Sequence, residues 1–332
     1  MHYVIIGAGA VGGTIGGRLH QHGHRVTLVA RGAQLAALRD AGLRLATPVA
    51  EHQLAVPVVA GPAELELTPD CTLILTVKSQ DTVAALDTWA DVPVRGGGVA
   101  GDRLPLVCAQ NGVANEPAAL RRFAQVYAAC VWLPATYLAA GTVAAQGHPY
   151  SGQLQLGRYP EPDPPGPALE QLAADLTGSA VAASVRPDPM RWKYGKLLAN
   201  LANGLDALFD ERDPELLTQV RDEGAAVLRA AGTPHTTRAE EAAERGDRVE
   251  LRPVAGQRRA GSSTRQSLAR GAGSVEVDYL NGEIVLLGRR HGVETPANLA
   301  VQRAVRRAVH DGTAPGQFPV AEFRAILAAS DS

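Results

Sequence analysis

Short apolar runs alternate with helix-like stretches over the first part of the chain. The runs lie at residues 3–6, 25–29, 56–59, 72–77, 104–108 and 126–133, and a polar-apolar alternation follows at 153–156. This succession of strand and helix signals predicts an α/β domain with a doubly wound, mainly parallel sheet. After Pro187 and Pro189 the strand signals end and helical patterns continue. We therefore predict an α/β domain over residues 1–186 and an all-α domain over 187–332.

The first apolar run ends in a glycine-rich turn, and a helical stretch follows directly. The turn has the spacing G-x-G-x-x-G and reads Gly7, Ala8, Gly9, Ala10, Val11 and Gly12. Gly7 permits a tight strand-to-helix turn, Gly9 lets the backbone approach a pyrophosphate, and Gly12 lets the helix pack closely on the strand. The next apolar run arrives at β-α-β spacing, which is the context that this motif requires. The sequence therefore predicts a Rossmann-type dinucleotide site built on these residues.

The end of the second predicted strand indicates which dinucleotide binds. NAD sites place an acidic residue about 20 residues after the glycines for the ribose 2′-hydroxyl, whereas NADP sites place a cation there for the 2′-phosphate. Here the strand ends Val29-Ala30-Arg31-Gly32, with no acid nearby. A solvated arginine would look the same, but at this position in the motif Arg31 favours NADPH.

Length, charge and composition limit which other classes of function are expected. The chain has 332 residues, which fits two domains, and a formal net charge of −2, which gives no reason to expect a nucleic acid or an anionic membrane as partner. Its three cysteines stand in or beside apolar runs without C-x-x-C pairing, and three closely spaced histidines fall in a turn, so neither disulfides nor a metal site are predicted. No apolar stretch reaches membrane length, and we expect a cytoplasmic protein.

Lysine is scarce in this chain. The 32 basic residues include only three lysines, Lys78, Lys193 and Lys196. Because arginine serves everywhere else, a retained lysine indicates a need for a compact ammonium with a transferable proton. Lys78 follows a predicted strand at the carboxyl edge of the sheet, where ligands bind, and we assign it to the cofactor site.

A polar face on the first predicted helix after residue 187 is a second candidate site. Lys196, Asn200 and Asn203 follow the spacing i, i+4, i+7 beside an apolar stripe of leucines. Asparagine disfavours a helix interior by about 0.6 kcal/mol relative to alanine, and residues that oppose local propensity are expected at sites. A solvated polar face remains the alternative from these residues alone.

Together these features resemble the ketopantoate reductase (2-dehydropantoate 2-reductase) family. In family order the chain carries the glycine turn, Arg31, Val77-Lys78, Gln110-Asn111-Gly112, the Lys196/Asn200 helix, a segment at 275–283 and a closing segment at 291–298. The resemblance implies a Rossmann domain followed by a helical domain like that of 6-phosphogluconate dehydrogenases, with substrate between them. It also implies NADPH-dependent reduction of 2-dehydropantoate to (R)-pantoate, a step of pantothenate synthesis.

The resemblance also implies roles for individual residues. Lys196 would be the general acid that protonates the carbonyl oxygen, and Glu276 would accept a hydrogen bond from a substrate hydroxyl and help to position Lys196. Asn111 would contact the cofactor near the nicotinamide. Asn200 would bind substrate, with Asn203 beside it. Simpler roles stay open, because acids are common in the first turn of a helix and Asn-Gly is also a turn signal.

Two departures from the family pattern concern the substrate. The family often has a second asparagine four residues after the one that matches Asn200, but that position is Gly204, and Asn203 is turned from it by about 100° on a helix. The serine for the substrate carboxylate falls on Thr264, next to Ser263. Two alternatives therefore remain: reduction of another small 2-keto acid, and a redox sensor that binds NADP(H) without catalysis. A homodimer is compatible with such folds, although no residue pattern shows an interface.

Overall fold

The computed structural model describes residues 1–160, 166–255, 261–271 and 273–330. Its strands are β1 (His2–Ile6), β2 (Arg25–Val29), β3 (Leu43–Ala46), β4 (Glu51–Leu54), β5 (Val58–Val59), β6 (Cys71–Leu75), β7 (Pro105–Cys108), β8 (Gln125–Trp132), β9 (Ala135–Ala139), β10 (Thr142–Ala145), β11 (Gly147–Pro149), β12 (Gln153–Tyr159), β13 (Ala182–Val185) and β14 (Val249–Leu251). Its α-helices are α1 (Ala10–Gln21), α2 (Gly32–Ala41), α3 (Thr82–Trp89), α4 (Ala100–Arg103), α5 (Asn115–Leu120), α6 (Pro167–Gly178), α7 (Pro189–Asn200), α8 (Ala202–Leu208), α9 (Pro214–Ala230), α10 (Arg238–Arg245), α11 (Ser263–Ala269), α12 (Asn281–His291), α13 (Pro296–His310) and α14 (Val320–Ala328). Short 3-10 helices lie at Pro62–Glu64, Ser79–Asp81 and Glu276–Tyr279.

Eight of the described strands form the main sheet, in the order β13-β12-β8-β7-β6-β1-β2-β5. From β5 to β8 all neighbours are parallel, whereas β12 runs antiparallel to β8. The six parallel strands follow the order 3-2-1-4-5-6 that is typical of dinucleotide-binding sheets, whose ligand crevice lies where the order reverses. Here the reversal falls between β1 and β6, whose last residues, Ile6 and Leu75, are register partners. The predicted doubly wound, mainly parallel sheet is confirmed.

Burial on both faces explains the unbroken apolar runs of the central strands. Every residue of β1, β6 and β7 is buried, because helices cover both faces of a parallel sheet. The helix α1 packs closely on the sheet because it has a glycine at the contact: a Cβ on Gly16 would lie 2.6 Å from Leu28 Cδ2 of β2. This close packing holds the middle of α1 against β2 and β1.

A four-stranded sheet in the order β4-β3-β10-β9 packs on α1 and has no counterpart among the predicted elements. Its strands have four or five residues, and three of them contain alanine, which is uncommon in strands. These features leave little periodic pattern to detect. The sheet matters for the site because Ala135 and Tyr137 of β9 line the cavity described below.

The helical part follows the main sheet. β13 ends at Val185 and α7 begins at Pro189, so the predicted boundary lies in the connection between them. The apolar faces of α7, α8, α9, α12 and α13 form a separate buried core. Among the described residues after 187, one short strand departs from the all-α expectation: β14 pairs with β11, with His148 opposite Glu250. Among the described helices, none has the length and apolar character needed to cross a bilayer.

Candidate active site in the cleft between the sheet and the helices

A cavity of about 790 Å³ extends from the glycine turn to the helices α7, α8 and α11. Thirteen of the fifteen residues that the sequence analysis selects line it: Gly7, Ala8, Gly9, Ala10, Val11, Arg31, Lys78, Asn111, Lys196, Asn200, Asn203, Ser263 and Glu276. The other two are Gly12 and Thr264. Residues that are far apart in the sequence therefore meet at one cleft.

The glycine turn has a shape that suits a pyrophosphate. Gly7 has φ of +110°, and a Cβ there would lie 2.8 Å from the Val77 nitrogen. A Cβ on Gly9 would meet no atom within 4 Å, and this residue faces the cavity. Gly12 packs behind the turn, where a Cβ would lie 2.1 Å from the Gly7 oxygen and 2.4 Å from Thr76 Oγ1. Because α1 begins without a side-chain cap, the N–H groups of its first turn are available to an anion. These residues fit a bound dinucleotide.

Arg31 lies just after β2 and lines the cavity, as the motif predicts for a residue near the ribose. It is the N-cap residue of α2, and its side chain is 85% exposed. Its Nη2 lies 3.1 Å from Oδ1 of Asp81, which lines the same cavity. An exposed guanidinium with one neighbouring carboxylate remains able to turn towards a phosphate.

The predicted polar face of α7 and α8 belongs to the cavity wall. Leu201, between the two helices, keeps helical φ and ψ, so Lys196, Asn200 and Asn203 all line the cavity. The opposite side enters the core through Leu197 and Leu201, which are fully buried. The polar face is therefore directed at the cleft and not at the outer surface.

The turn Gln110-Asn111-Gly112 forms the facing wall. Gln110 Nε2 donates a hydrogen bond of 2.8 Å to the Val77 oxygen, which fixes the turn to the end of β6. Asn200 Nδ2 lies 3.4 Å from Asn111 Oδ1. The two amides predicted to contact cofactor and substrate are thus neighbours across the cleft.

Glu276 is held by residues of the nucleotide-binding part. Its buried carboxylate accepts a hydrogen bond from Lys78 Nζ at Oε2, and from the Ser79 N–H at 3.2 Å and the Ser79 hydroxyl at 3.3 Å at Oε1. A role as an acid at a helix start does not account for these bonds. The predicted contact of Glu276 with Lys196 and substrate stays a prediction.

Two positions that the family resemblance assigns to the substrate site differ from expectation. Thr264 is 4% exposed and lies outside the cavity wall, because α11 turns by about 100° per residue and Ser263 takes the cavity side. A Cβ on Gly204 would lie 2.4 Å from Val301 Cγ1, so this position faces α13 and leaves no room for an asparagine. Asn203 is the amide that this chain presents to the cavity instead.

The cavity residues that were not selected from the sequence include two aromatic residues, Trp132 and Tyr137, and two arginines, Arg245 and Arg270. The Arg245 guanidinium carbon lies 5.8 Å from the Trp132 ring centroid, and that of Arg270 lies 5.7 Å from the Tyr137 ring centroid. Within the described parts of the chain, neither arginine forms an ion pair with a carboxylate. Trp132 ends β8 at the carboxyl edge of the sheet, and this position at the end of a predicted strand could have identified it from the sequence. The two arginines look like any others in an arginine-rich chain.

Comparison with known proteins places this arrangement in a family. The family model described as ketopantoate reductase PanE/ApbA matches residues 3–161, and the model described as its C terminal matches residues 188–309. The chain belongs to the ketopantoate reductase family. It is an oxidoreductase of this family, which implies a nicotinamide cofactor and a small keto acid as substrate. The family resemblance described above is confirmed.

Curated relatives and solved structures extend over almost the whole chain. A 2-dehydropantoate 2-reductase of Caulobacter vibrioides is 30% identical over 311 residues, which cover 90% of this chain and 95% of that protein. A protein of the same name from Halobacterium salinarum is 28% identical over 94% of this chain and 100% of its own length. A PanE/ApbA family ketopantoate reductase from Ralstonia eutropha superposes with a TM-score of 0.76 at 28% identity, over 94% of this chain and 99% of that one. D-mandelate dehydrogenase, solved with NADH and anilino(oxo)acetate, shares the fold at 21% identity, with a TM-score of 0.77 over 95% of this chain and 100% of that one.

Proposed function

We propose that this protein reduces 2-dehydropantoate to (R)-pantoate with NADPH, and that Lys196 is the general acid. The observation that carries the proposal is the shared cavity: Lys196, Asn200 and Asn203 line the same cleft as the glycine turn. Family membership and the names of the curated relatives support the substrate. Arg31 after the second strand supports the cofactor.

The chemistry needs a hydride and a proton at one carbonyl group. When bound, the reduced nicotinamide supplies the hydride. Lys196 Nζ donates a hydrogen bond to the keto oxygen, stabilises the negative charge that develops there and then transfers a proton to it. The neutral amine regains a proton from water, so the lysine is restored after each turnover. Asn200 and Asn203 orient the substrate through their amide groups.

Lys78 and Glu276 support the substrate from the opposite wall. Lys78 Nζ donates a hydrogen bond to Glu276 Oε2, which fixes the orientation of this carboxylate in the cleft. An ionised carboxylate is an acceptor only, which suits a hydroxyl donor on the substrate. In this proposal Lys78 therefore holds Glu276 in place, and Glu276 selects a substrate that carries a hydroxyl group.

NADPH oxidation with purified protein tests the proposal. We expect saturable turnover of 2-dehydropantoate and at least a tenfold lower kcat/KM for 2-oxo acids that lack a hydroxyl group. Turnover of a different 2-oxo acid would keep the mechanism and change the substrate. A protein that binds NADPH and reduces none of these acids would support the redox sensor instead.

Cofactor selection gives a separate prediction. Because a charge-assisted bond to the 2′-phosphate contributes about 1.4 kcal/mol or more, Arg31→Ala is expected to weaken NADPH binding about tenfold and to leave NADH binding unchanged. Asp81→Asn is the matched variant: it removes the carboxylate 3.1 Å from Arg31 and is expected to strengthen NADPH binding. Dissociation constants from cofactor fluorescence at two salt concentrations measure both effects. Equal affinity of the unaltered protein for the two cofactors would contradict the proposed role of Arg31.

The arginines of the cavity favour a second candidate substrate, a 2-oxo acid with a second anionic group. Arg245 and Arg270 add positive charge to a cleft that already contains Lys196, whereas the two acids among the described residues of its wall, Asp81 and Glu276, are paired. If the second candidate is right, Arg270→Leu raises KM for 2-oxo dicarboxylates at least tenfold and KM for monocarboxylates less than threefold. Steady-state kinetics on both classes decide this, and equal changes in both KM values would exclude a second anion subsite at Arg270.

A further inference from the structure

A buried ion pair joins α7 to the nucleotide-binding part of the chain. Lys193 Nζ donates a hydrogen bond to Glu116 Oε1 and another, of 3.1 Å, to the backbone oxygen of Gln110. The side chains of Lys193 and Glu116 are 2% and 0% exposed. Neither residue lines the cavity, and the proposed reaction uses neither charge.

Burial of an ion pair costs free energy, so such a pair contributes little net stability to the packing of two elements. The attraction between an ammonium and a carboxylate only partly compensates for their removal from water, and apolar residues of similar volume often stabilise as well. Burial raises the pKa of the Glu116 carboxyl, and the neighbouring Lys193 opposes this shift. Oε2 of Glu116 has no hydrogen-bond partner among the described residues, which adds to the cost. Fold stability alone therefore does not explain the pair.

The place of the pair does offer an explanation. Lys193 precedes Lys196 by three residues, so it lies about one turn, roughly 4.5 Å, before it on the same helix. Lys193 donates a hydrogen bond to the Gln110 oxygen, and the next residue, Asn111, lines the cavity. One ammonium group thus connects the helix that carries Lys196 with the turn that carries Asn111.

We infer that Lys193 and Glu116 are positioning residues that set the distance between Lys196 and the turn Gln110-Asn111-Gly112 on the facing wall of the cleft. The inference rests on the proposed function, in which the proton comes from the helical part and the hydride from the nucleotide-binding part. A misplacement of about 1 Å between such groups costs on the order of 100-fold in rate. A directional hydrogen bond to a backbone oxygen fixes this distance, whereas apolar side chains can slide past one another.

The double variant Lys193→Met/Glu116→Leu separates positioning from stability. It replaces the pair by apolar side chains of similar volume, so the melting temperature is expected to stay equal or rise. We expect kcat to fall about 10- to 100-fold, while KM for the 2-oxo acid and Kd for NADPH change less than threefold. A double variant whose kcat stays within twofold of the original overturns the inference.

Glu116→Gln serves as the conservative variant and covers the case in which the double variant does not fold. It keeps the shape of the side chain and leaves the bond from Lys193 to the Gln110 oxygen in place. We expect its kcat to remain within about fivefold of the original, because position matters here more than charge. A folded Glu116→Gln protein that loses kcat more than tenfold would refute positioning through this bond.

Arg191→Met is the matched control on the same helix. Arg191 pairs with Glu240 at 2.5 Å, its side chain is 31% exposed, and it is not among the residues that line the cavity. We expect its kcat to be unchanged.

Amide hydrogen exchange tests the inference without any substrate. In the double variant, exchange at residues 109–113 and in α7 is expected to accelerate at least tenfold, while exchange in β1 and β6 stays the same. Unchanged exchange at the turn overturns the inference. If the original protein reduces no 2-oxo acid, the proposed function fails, and exchange alone decides whether the pair holds the turn.

Discussion

Replacement of Lys196 by methionine is expected to lower kcat about 10³-fold, within the range attributed to general acids. Methionine has a similar length and a good helix propensity, so α7 is expected to remain intact. The glycine turn is not altered, and NADPH binding is therefore expected to change less than twofold. Stopped-flow measurement of a single turnover with saturating substrate isolates the chemical step from product release.

Lys196→Arg is the matched variant because it keeps the positive charge. Arginine still polarises the keto oxygen, but it releases a proton far less readily than lysine. We expect a rate between those of the original protein and Lys196→Met. If Lys196→Arg is as active as the original, proton donation by this residue is excluded and only its charge matters.

Two alanine substitutions in the glycine turn are expected to affect different properties: Gly12→Ala lowers thermal stability, and Gly9→Ala weakens NADPH binding. A Cβ on Gly12 would lie 2.1 Å from the Gly7 oxygen, so Gly12→Ala forces the start of α1 away from β1. Overpacking of this kind costs about 3 kcal/mol and lowers Tm by roughly 10 °C. Gly9 has φ of −81°, which alanine adopts, and its Cβ would meet no protein atom within 4 Å. Gly9→Ala is therefore expected to keep the original Tm and to weaken NADPH binding at least tenfold, because the methyl group occupies the place of the pyrophosphate.

Thermal melting and cofactor titration of the two variants distinguish the roles of the two glycines. An unchanged Tm of the Gly9→Ala variant would show that its fold is intact, so that a loss of NADPH affinity reports on the binding site alone. Full NADPH affinity in Gly9→Ala would show that the pyrophosphate lies elsewhere. An unchanged Tm in Gly12→Ala would show that α1 can move away from β1 without cost.

The central sheet was predictable because its strands are apolar and buried on both faces, as β1 and β6 show. The second sheet was not, because three of its four strands contain alanine and all four depend for their position on contacts with α1. The strand β14 has three residues and is a strand only because β11 lies beside it. Local sequence cannot report such pairing, since the partner is about a hundred residues away.

The cavity wall was predictable where chemistry and spacing coincide, as at Gly9 and Lys196. It was not predictable where rotation of a helix decides which neighbour faces the cleft, as with Ser263 and Thr264. The pair of Lys193 and Glu116 was also hidden: the scarcity of lysine draws attention to Lys193, but nothing in the sequence links it to Glu116, 77 residues earlier. Only the fold shows that both are buried.

The distribution of ε-amino groups determines how this protein reacts with acylating reagents. Lys193 is enclosed together with Glu116, whereas Lys78 and Lys196 line the cleft. Of the three lysine amines in this sequence, an N-hydroxysuccinimide ester can therefore reach those of Lys78 and Lys196, and both lie in the cleft. Coupling to a resin through lysine would block the cleft, and attachment through carboxylates would leave it open. Protection by a bound dinucleotide would make the same reagent a quantitative probe of occupancy.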